Sequence, residues 1–287
     1  MTNKSHFSVE KMCKVLTISR NSYYHWLNNR DKNNVNKQLL QNKIKAIYDK
    51  NLGIYGSPRI TVELSKMGYN YSSSWISKLM KDMNLRSILK RKFVVTTDSK
   101  HGYSVSDHLL ERDFNTDKKG KVWVSDITYI KTGSKWSYLT SIIDLYDRKV
   151  VGWIVSDNLT AKHTSVIAWK KAVNNRLLSK GFIFHSDRGI QYSCNEFREV
   201  LNSHKNVKQS MSRKANCWDN AVAESFFKTI KYEWLNRFHF QNIQQVDKAV
   251  DKYINWYNNI RIHSSIGYLS PNEKSLEVYK NKYTNVA

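Results

Sequence analysis

Three carboxylates in a strongly basic chain are the first candidates for chemistry. Asp126 lies in the middle of an apolar, β-branched segment, Asp187 directly follows a short apolar segment, and Glu224 lies about one turn into a segment with helical periodicity. A lone carboxylate is costly to bury unpaired, and clustered carboxylates repel one another unless cations neutralise them. Carboxylate oxygens suit Mg²⁺ or, as a substitute, Mn²⁺. We therefore predict that these residues are both the catalytic groups and the ligands of a metal site.

A carboxylate metal site of this kind would act on phosphate esters. Two ions about 3.5–4 Å apart would activate an attacking oxygen and stabilise the leaving oxygen in an in-line displacement at phosphorus. Each residue also has a structural alternative: Asp126 could pair with a buried arginine, Asp187 could cap a turn, and Glu224 could be solvated. The combination of all three, in this order on strands and a helix, favours a site with two ions.

Basic residues follow the third carboxylate at helical spacing. Lys228 and Lys231 lie four and seven positions after Glu224 and therefore share its helix face. There they would hold substrate phosphates against the ions. The alternative is an exposed glutamate–lysine pair, worth a few tenths of a kcal/mol. We favour the phosphate contacts.

A polar, basic and irregular segment, residues 210–220, precedes this helix. Arg213 and Lys214 supply phosphate-binding groups, and Trp218 could stack on an unpaired base or belong to the core. Arg188, next to Asp187, is a further candidate for a DNA contact. Such a segment suits a loop beside a site that must admit DNA.

The segments that carry these residues predict an α/β domain. Strands are expected at residues 122–130, 136–145, 150–155, 181–185 and 207–211, and helices at residues 160–178, 195–202 and 219–232. The first three strands should pair as an antiparallel meander. This order matches a mixed five-stranded sheet with helices on both faces, as in the ribonuclease H-like fold, although the order alone does not decide it.

The first third of the chain has the pattern of an all-α region. An apolar stripe runs from Val9 to Leu16, and Ser19 can cap a second helix that continues through Leu27. Two helices joined by a short turn form the smallest DNA-docking unit, a helix-turn-helix, although these residues suit a generic helical hairpin equally well. Further helices are expected at residues 39–48, 57–66 and 73–83. The residues expected to contact DNA here are Arg20, Tyr23 and Arg59.

The charge of the chain points to a polyanionic partner. Lys and Arg number 47 against 24 Asp and Glu, a formal net charge of +23, which favours nucleic acid over an anionic membrane surface. Residues 1–106 carry 19 basic and 6 acidic side chains, whereas residues 107–287 carry 28 and 18. The first third is therefore the better candidate for sequence-independent phosphate contacts.

Composition excludes several classes of protein. Apolar residues make up 40% of the chain and aromatic residues 13%, which argues against disorder. The sequence contains no run of about 18 apolar residues, so no membrane-spanning helix is predicted. The three cysteines are widely spaced and suit neither a disulfide framework nor a zinc clasp. We expect an intracellular protein whose parts are a helical DNA-binding region at 1–90 (helix-turn-helix at 7–30, helical subdomain at 37–87), a linker at 91–117 and a catalytic domain at 118–287.

Longer motifs surround the three carboxylates and continue to the C-terminal end. They are Trp123-Val124-Ser125-Asp126-Ile127-Thr128-Tyr129-Ile130, His185-Ser186-Asp187-Arg188-Gly189-Ile190-Gln191-Tyr192, Asp219-Asn220-Ala221-Val222-Ala223-Glu224-Ser225-Phe226-Phe227-Lys228, Trp256-Tyr257-Asn258-Asn259, Arg261-Ile262-His263-Ser264-Ser265 and Gly267-Tyr268-Leu269-Ser270-Pro271. Together with Tyr55-Gly56-Ser57-Pro58-Arg59-Ile60, they resemble the DDE transposases of bacterial insertion sequences. The resemblance is to the orfB protein of the insertion-sequence-three group, whose core is similar to retroviral integrase.

This resemblance implies an activity, a cofactor and partners. It makes Asp126, Asp187 and Glu224 the DDE triad of an integrase catalytic domain. Water would attack the phosphodiester between element and flank, and the freed 3′-OH would attack a second phosphodiester, circularising the element before integration. The resemblance further implies Mg²⁺, terminal-repeat and target DNA, a homo-oligomer on DNA, a partner protein from an upstream reading frame, and a cytoplasmic, nucleoid-associated location in a bacterium.

One spacing departs from the family pattern. Between Asp187 and Glu224 lie 36 residues, one more than the family usually has. We expect the surplus residue in the loop at 202–207, because a loop absorbs one residue at little cost.

Two other functions remain open from sequence. A tyrosine recombinase is suggested by the HxxR pattern from His185 to Arg188, but that mechanism uses a nucleophilic tyrosine and no carboxylate triad. A non-catalytic DNA-binding repressor would use only residues 1–90 and would leave the carboxylates unexplained. Metal dependence without a covalent protein–DNA intermediate would distinguish the transposase from both.

Overall fold

The computed structural model describes residues 7–88, 106–107, 109–110, 114, 116–205, 207–213 and 217–284, without the side chains of 30–33, 217–218 and 278–284. The chain divides into two compact units, residues 1–88 and 89–287, which we call the N-terminal and the C-terminal unit. Most of the segment expected to be a linker, residues 91–117, lies outside the described residues.

Helices form the described part of the N-terminal unit. They are α1 (Val9–Val15), α2 (Arg20–Lys50), α3 (Ser57–Lys66) and α4 (Ser73–Asp82). Ser8, Ser19 and Ser72 each precede a helix and accept a hydrogen bond from a backbone N–H of its first turn, which satisfies a donor that the helix itself cannot pair. The core of these helices includes the buried side chains of Ile44, Ile60, Leu64, Ile76 and Leu79.

The second helix is longer than the sequence pattern predicts. We expect a helix that ends near Leu27 and a new one at residues 39–48, but α2 continues without a break from Arg20 to Lys50. The intervening residues are polar, so they carry no apolar periodicity, yet they include no proline or glycine that would end a helix. The proposed helix-turn-helix at 7–30 and the helical subdomain at 37–87 therefore share one helix.

A five-stranded mixed sheet forms the centre of the C-terminal unit, which confirms the predicted α/β fold class. Its strands are β1 (Val122–Thr132), β2 (Lys135–Asp144), β3 (Val150–Ser156), β4 (Ile183–Ser186) and β5 (Lys208–Met211). Their order across the sheet is β3-β2-β1-β4-β5. The first three strands pair antiparallel, whereas β4 runs parallel to β1 and β5 parallel to β4. This is the topology of the ribonuclease H-like fold.

Helices cover both faces of this sheet. They are α5 (Ser165–Asn175), α6 (Ile190–Ser193), α7 (Asn195–Asn202), α8 (Ala221–Glu233), α9 (Ile243–Asn259) and α10 (Pro271–Thr284). On one face, Trp123 of β1 packs against Trp169 of α5 with their ring centroids 5.7 Å apart. Gly152 lets α5 approach β3 closely, because a Cβ at this position would lie 2.3 Å from the carbonyl oxygen of Ala168. On the other face, α8 and α9 pack against β1.

Two helix starts differ from the predicted positions. The helix expected from Thr160 begins only at Ser165, after a short 3₁₀ turn at Ala161–His163, because the backbone of Thr164 leaves the helical region. The helix expected from Asp219 begins at Ala221, after a 3₁₀ turn at Cys217–Asn220. The short helix α6 carries too few residues to give a periodic signal and was not predicted.

Among the described residues, no helix combines the length and apolar character needed to cross a lipid bilayer.

Candidate active site

The two aspartates lie side by side at the centre of the sheet. Ser125 of β1 pairs with Ser186, the last residue of β4, in a parallel register. The residues that follow this pair are Asp126 on β1 and Asp187 directly after β4. Adjacent strands lie about 4.8 Å apart, and residues at the same level point to the same face. The register therefore brings together the two aspartates singled out from the sequence.

The glutamate reaches the same region from a helix. Glu224 lies in the first turn of α8, and α8 packs against β1. Asn220, directly before α8, donates a hydrogen bond of 3.0 Å from Nδ2 to the carbonyl oxygen of Ser125. The residue before Asp126 is thus tied to the start of the helix that carries Glu224.

Mutual repulsion marks the three carboxylates as one electrostatic group. Burial, and next the negative charge of Asp187, raise the pKa of Asp126 well above its ordinary value, and the charge of Glu224 contributes in the same direction. Partial burial and then the charge of Asp187 also raise the pKa of Glu224. The charge of Asp187 thus disfavours ionisation of both Asp126 and Glu224, which indicates a site that a cation would stabilise.

The donor set suits a divalent cation with hard-oxygen preference. Carboxylate oxygens are the ligands that Mg²⁺ and Mn²⁺ favour. One oxygen of each aspartate is already oriented by a backbone N–H: Asp126 accepts from Ile127 at 2.8 Å and Asp187 from Gly189 at 2.9 Å. Within the described residues, no three His, Cys, Asp or Glu side chains converge closely enough to form a complete metal-binding group. The charges of Asp187 and Glu224 nevertheless act on Asp126, and that of Asp187 on Glu224.

Gly189 lies close beside the second aspartate. A Cβ at this position would lie 3.0 Å from Oδ1 of Asp187 and 3.2 Å from Oε1 of Gln191. A larger residue would therefore require these side-chain ends to shift slightly.

The two lysines of α8 have different environments. Lys231 is half-buried, and this burial lowers the pKa of its ammonium, an effect that the negative charge of Asp126 partly offsets. Lys228 is exposed at the surface of α8. The structure therefore brings Lys231 into the electrostatic field of the carboxylates, whereas Lys228 lies at the rim.

The basic loop before α8 is held by an internal ion pair. Arg213 donates three hydrogen bonds to the buried carboxylate of Asp219, from its backbone N–H and from Nε and Nη2, at 3.0 to 3.1 Å. Arg188 donates from Nε to the carbonyl oxygen of Ser212 at 2.7 Å. Both arginines predicted to bind DNA therefore also order the backbone next to the site. Lys214 and the side chain of Trp218 lie outside the described residues.

Two residues near the site were not singled out from the sequence. One is Asn220, and the other is Tyr192 of α6, whose hydroxyl lies 2.8 Å from Oγ of Ser125 in the buried core. Polar Asp219-Asn220 directly before an apolar helix is a helix-start signal that would have drawn attention to Asn220. No comparable signal exists for Tyr192.

A buried ion pair supports the far end of the helix that carries Glu224. Glu233, the last residue of α8, accepts hydrogen bonds from Nε and Nη2 of Arg261 at 2.8 and 2.6 Å and from the hydroxyl of Tyr253 at 2.7 Å. The Arg261 and Glu233 side chains are only 6% and 2% exposed. Burial and the Glu233 charge raise the pKa of Tyr253 well above its ordinary value.

The DNA contacts predicted in the N-terminal unit lie on different helices. Arg20 is exposed at the start of α2, where its guanidinium lies 3.8 Å from the carboxylate of Glu10. Tyr23, about one turn after Arg20, packs edge-on against Tyr24. The guanidinium of Arg59, in the first turn of α3, lies over the ring of Tyr55 at 5.3 Å.

Comparison with protein families divides the chain in the same way. Two models described as integrase core domain match residues 116–217, which include both aspartates, and residues 205–271, which include Glu224. A model described as an HTH-like domain matches residues 35–93. The last match covers the end of α2 with α3 and α4, and not the segment at 7–30.

Known proteins resemble the chain over nearly its whole length. It is 35% identical over 284 residues to the transposase InsF for insertion sequence IS3A of Escherichia coli (strain K12), covering 98% of this chain and 96% of that protein. It is 34% identical over 278 residues to an uncharacterized 31 kDa protein of insertion element IS600 from Shigella sonnei, covering 96% of this chain and 100% of that protein. Among solved structures, the HTLV-2 integrase catalytic core domain in complex with magnesium is 19% identical with a TM-score of 0.42, covering 55% of this chain and 97% of that domain.

Proposed function

The chain belongs to the transposase family of insertion sequence IS3, and we propose that Asp126, Asp187 and Glu224 form the site at which it cleaves and joins insertion-sequence ends. Its activity is DNA transposition by an integrase core, a polynucleotidyl transfer. The observation that supports this assignment is the register that sets Asp126 beside Asp187. The helix of Glu224 packs against the same strand.

Two displacements at phosphorus make up the proposed reaction. In the first, a water oxygen bonds to the phosphorus between element and flank, the bond to the 3′ oxygen breaks, and this oxygen leaves as a 3′-OH. In the second, that 3′-OH oxygen bonds to the phosphorus of another phosphodiester and displaces its 3′ oxygen. The number of phosphodiester bonds is conserved in the second step, so no external energy source is needed. The protein forms no covalent bond to DNA and contributes by positioning and charge stabilisation.

Catalytic cores of this family use divalent cations. We propose that this chain uses two Mg²⁺ ions, with Mn²⁺ as a substitute, held by the three carboxylates. When bound, the ions activate the attacking oxygen and stabilise the leaving one. The carboxylates fit them chemically, because the charge of Asp187 raises the pKa of both Asp126 and Glu224, a repulsion that a bound cation would relieve. The aspartates keep their orientation through the backbone N–H groups of Ile127 and Gly189.

Thermal unfolding with added Mn²⁺ tests the metal assignment. A ligand that binds only the folded protein raises its melting temperature. We expect Mn²⁺ to raise the Tm of the wild-type chain, and to raise it much less in Asp126→Asn, Asp187→Asn and Glu224→Gln. Asp251→Asn, which removes an exposed carboxylate on α9, should respond like wild type. Equal shifts in the triad variants and in wild type would exclude the three residues as ligands.

Lys231 is proposed to hold a phosphate next to the scissile bond. It lies two turns beyond Glu224 on the same helix face, and its half-buried ammonium is close enough to feel the charge of Asp126. We expect Lys231→Ala to weaken binding of cleaved element ends, to slow joining, and to reduce the salt slope of binding by roughly one unit, since one phosphate contact is lost. Lys231→Arg should retain more activity than Lys231→Ala because it retains the charge.

A matched control for this variant is Lys248→Ala, which removes an exposed lysine of α9. Joining rates and salt slopes would be measured for wild type and both alanine variants. If Lys231→Ala and Lys248→Ala behave alike, Lys231 is only a surface lysine whose loss changes stability by no more than about 0.5 kcal/mol.

The N-terminal unit is proposed to anchor DNA through its phosphates. It contains the HTH-like domain and most of the first 106 residues, in which basic side chains outnumber acidic ones by 19 to 6. Arg20, Tyr23 and Arg59 are the contacts we propose on α2 and α3. Binding that depends mainly on phosphate neutralisation weakens steeply as salt rises.

Terminal-repeat DNA, target DNA and further protein chains are the proposed partners. Transposition joins two DNA ends, so we propose a homo-oligomer assembled on DNA, in the bacterial cytoplasm and associated with the nucleoid. We also propose a partner protein from an upstream reading frame. Neither alternative function is favoured, because the similarity to transposases extends over the whole chain.

A further inference from the structure

Three aromatic side chains lie together at the tip of the β1–β2 hairpin. Tyr129 pairs with Tyr138 across the two strands, and Lys131 pairs with Trp136. The ring centroids of Tyr129 and Tyr138 are 5.1 Å apart, and those of Tyr129 and Trp136 are 6.1 Å apart. Tyr129 is 49% and Trp136 48% exposed. We call Tyr129, Trp136 and Tyr138 the hairpin aromatic cluster.

The hairpin that carries this cluster is anchored at its tip. The backbone N–H of Gly133 donates to the carbonyl oxygen of Phe240 at 2.8 Å, and Thr132 forms an isolated bridge with the same residue. Inside the hairpin, the hydroxyl of Thr132 donates to Oγ of Ser137 at 2.9 Å. The aromatic rings therefore stand on an ordered support, which reduces the entropy lost when a ligand binds.

Two exposed lysines lie beside the hairpin aromatic cluster. The ammonium of Lys131 lies 5.3 Å from the centroid of the Trp136 ring, and both Lys131 and Lys135 are exposed. Aromatic rings next to exposed lysines are the combination with which proteins bind single-stranded nucleic acid: the rings stack on bases and the cations contact the backbone.

The cluster lies a short distance along β1 from the first of the three carboxylates. Tyr129 follows Asp126 by three residues, about 10 Å along β1, and the two side chains leave opposite faces of the strand because successive side chains alternate. The same length spans about three nucleotides of a DNA strand. β4 ends at Ser186, opposite Ser125, so this part of β1 projects past the end of β4. The charge of Asp187 contributes to the raised pKa of Tyr129, after burial and Tyr138, which places the phenol in the field of the second aspartate.

We infer that the hairpin aromatic cluster binds, by stacking, unpaired bases of the DNA strand next to the scissile phosphate. Bases inside a duplex are already stacked on one another and expose only their edges in the grooves. An exposed protein ring can stack only on a base that is unpaired or at a frayed end. The cluster would thus favour element ends whose terminal base pairs are open. This inference rests on the proposed function of the three carboxylates.

Two DNA probes distinguish stacking from general DNA binding. Both are element-end duplexes with the full chain in Ca²⁺, one fully paired and one with a short unpaired extension that carries the fluorescent base 2-aminopurine. We expect wild type to bind the extended probe more tightly and to quench its fluorescence. Trp136→Leu and Tyr129→Leu should each lower affinity for the extended probe at least about fivefold, the lower end of the effect of base stacking, with little effect on the paired probe.

Conservative and control variants complete the experiment. Trp136→Phe keeps an aromatic ring and should retain most of the preference for the extended probe. If the contact were merely apolar, Trp136→Leu would retain the preference as well. Trp153→Leu removes another tryptophan of the same sheet, on β3, that also has a lysine, Lys171, over its ring at 5.1 Å. It should bind both probes like wild type.

The outcomes separate this inference from the proposed function. If wild type prefers neither probe, or if the two leucine variants keep the preference and the quenching, base stacking by the cluster is excluded. Joining of the paired probe in Mg²⁺ is measured in parallel. Failure of wild type to join it would overturn the proposed function itself, whereas normal joining without a probe preference overturns only the inference.

Discussion

Replacing any one of Asp126, Asp187 and Glu224 by its amide should abolish cleavage and joining of element ends, while binding to those ends stays nearly intact. Each amide keeps the volume of the side chain but removes the negative charge that, in the proposed site, holds a metal ion. The ions would supply several kcal/mol of transition-state stabilisation, and each 1.36 kcal/mol is a factor of ten in rate. We therefore expect the joining rate to fall by roughly a thousandfold or more.

Joining of labelled, pre-cleaved ends in Mg²⁺ and binding of the same ends in Ca²⁺ are the measurements. Asp251→Asn is the control, because it removes an exposed acidic group of α9 outside the site and should join at the wild-type rate. Substantial joining by one of the three variants would remove that residue from the triad. Loss of end binding together with activity would indicate instead that the variant disturbs the fold.

The largest effect on stability is expected at the buried pair of Glu233 and Arg261. Arg261→Met would leave the Glu233 carboxylate buried without the guanidinium that now donates two hydrogen bonds to it. Breaking a buried ion pair by removal of one partner costs about 3–5 kcal/mol. We expect a loss of this size in the free energy of unfolding of the C-terminal unit, followed by denaturant titration.

A double variant separates lost charge pairing from lost packing. In Glu233→Gln with Arg261→Met, no charge remains buried, and the glutamine oxygen can still accept the hydrogen bond of Tyr253. The double variant should therefore be more stable than Arg261→Met alone. If the double variant is as unstable as the sum of the two single variants, the pair does not act through charge compensation.

Local patterns in the sequence predicted the sheet well. Each of the five strands was expected close to its observed position, because β-branched and aromatic runs alternate with turn residues from Val122 onward. The same patterns placed Asp126 within a strand and Asp187 directly after one. The strand order β3-β2-β1-β4-β5 was not predicted and comes from the structure, in which the register of β1 and β4 brings the two aspartates together.

Long-range pairing explains most of what sequence patterns missed. The hydrogen bond from Asn220 to Ser125 joins residues 95 positions apart, and Arg261 reaches Glu233 over 28 positions. Neither pair has a local spacing rule such as the one that links residues four apart on a helix. The length of α2 was missed for a different reason: the mostly polar residues between Leu27 and Leu39 carry no apolar stripe that a periodicity search could detect.

The environment of Lys231 also needed the structure. Helical spacing predicted only that it shares a face with Glu224. The half-burial of the lysine and the influence of Asp126 on its pKa depend on how closely α8 packs against β1. The roles of the carboxylates and of this lysine remain predictions until the variants are measured.

Incubation of labelled element ends with target DNA and the full chain tests the central claim most directly. In Mg²⁺ we expect a strand-transfer product in which the labelled 3′ end is joined to target DNA. Chelation of the metal should abolish it, and a denaturing gel should show no DNA that migrates with protein. Joining that persists in the chelator, or a covalent protein–DNA adduct, would contradict a metal-dependent transesterification by Asp126, Asp187 and Glu224.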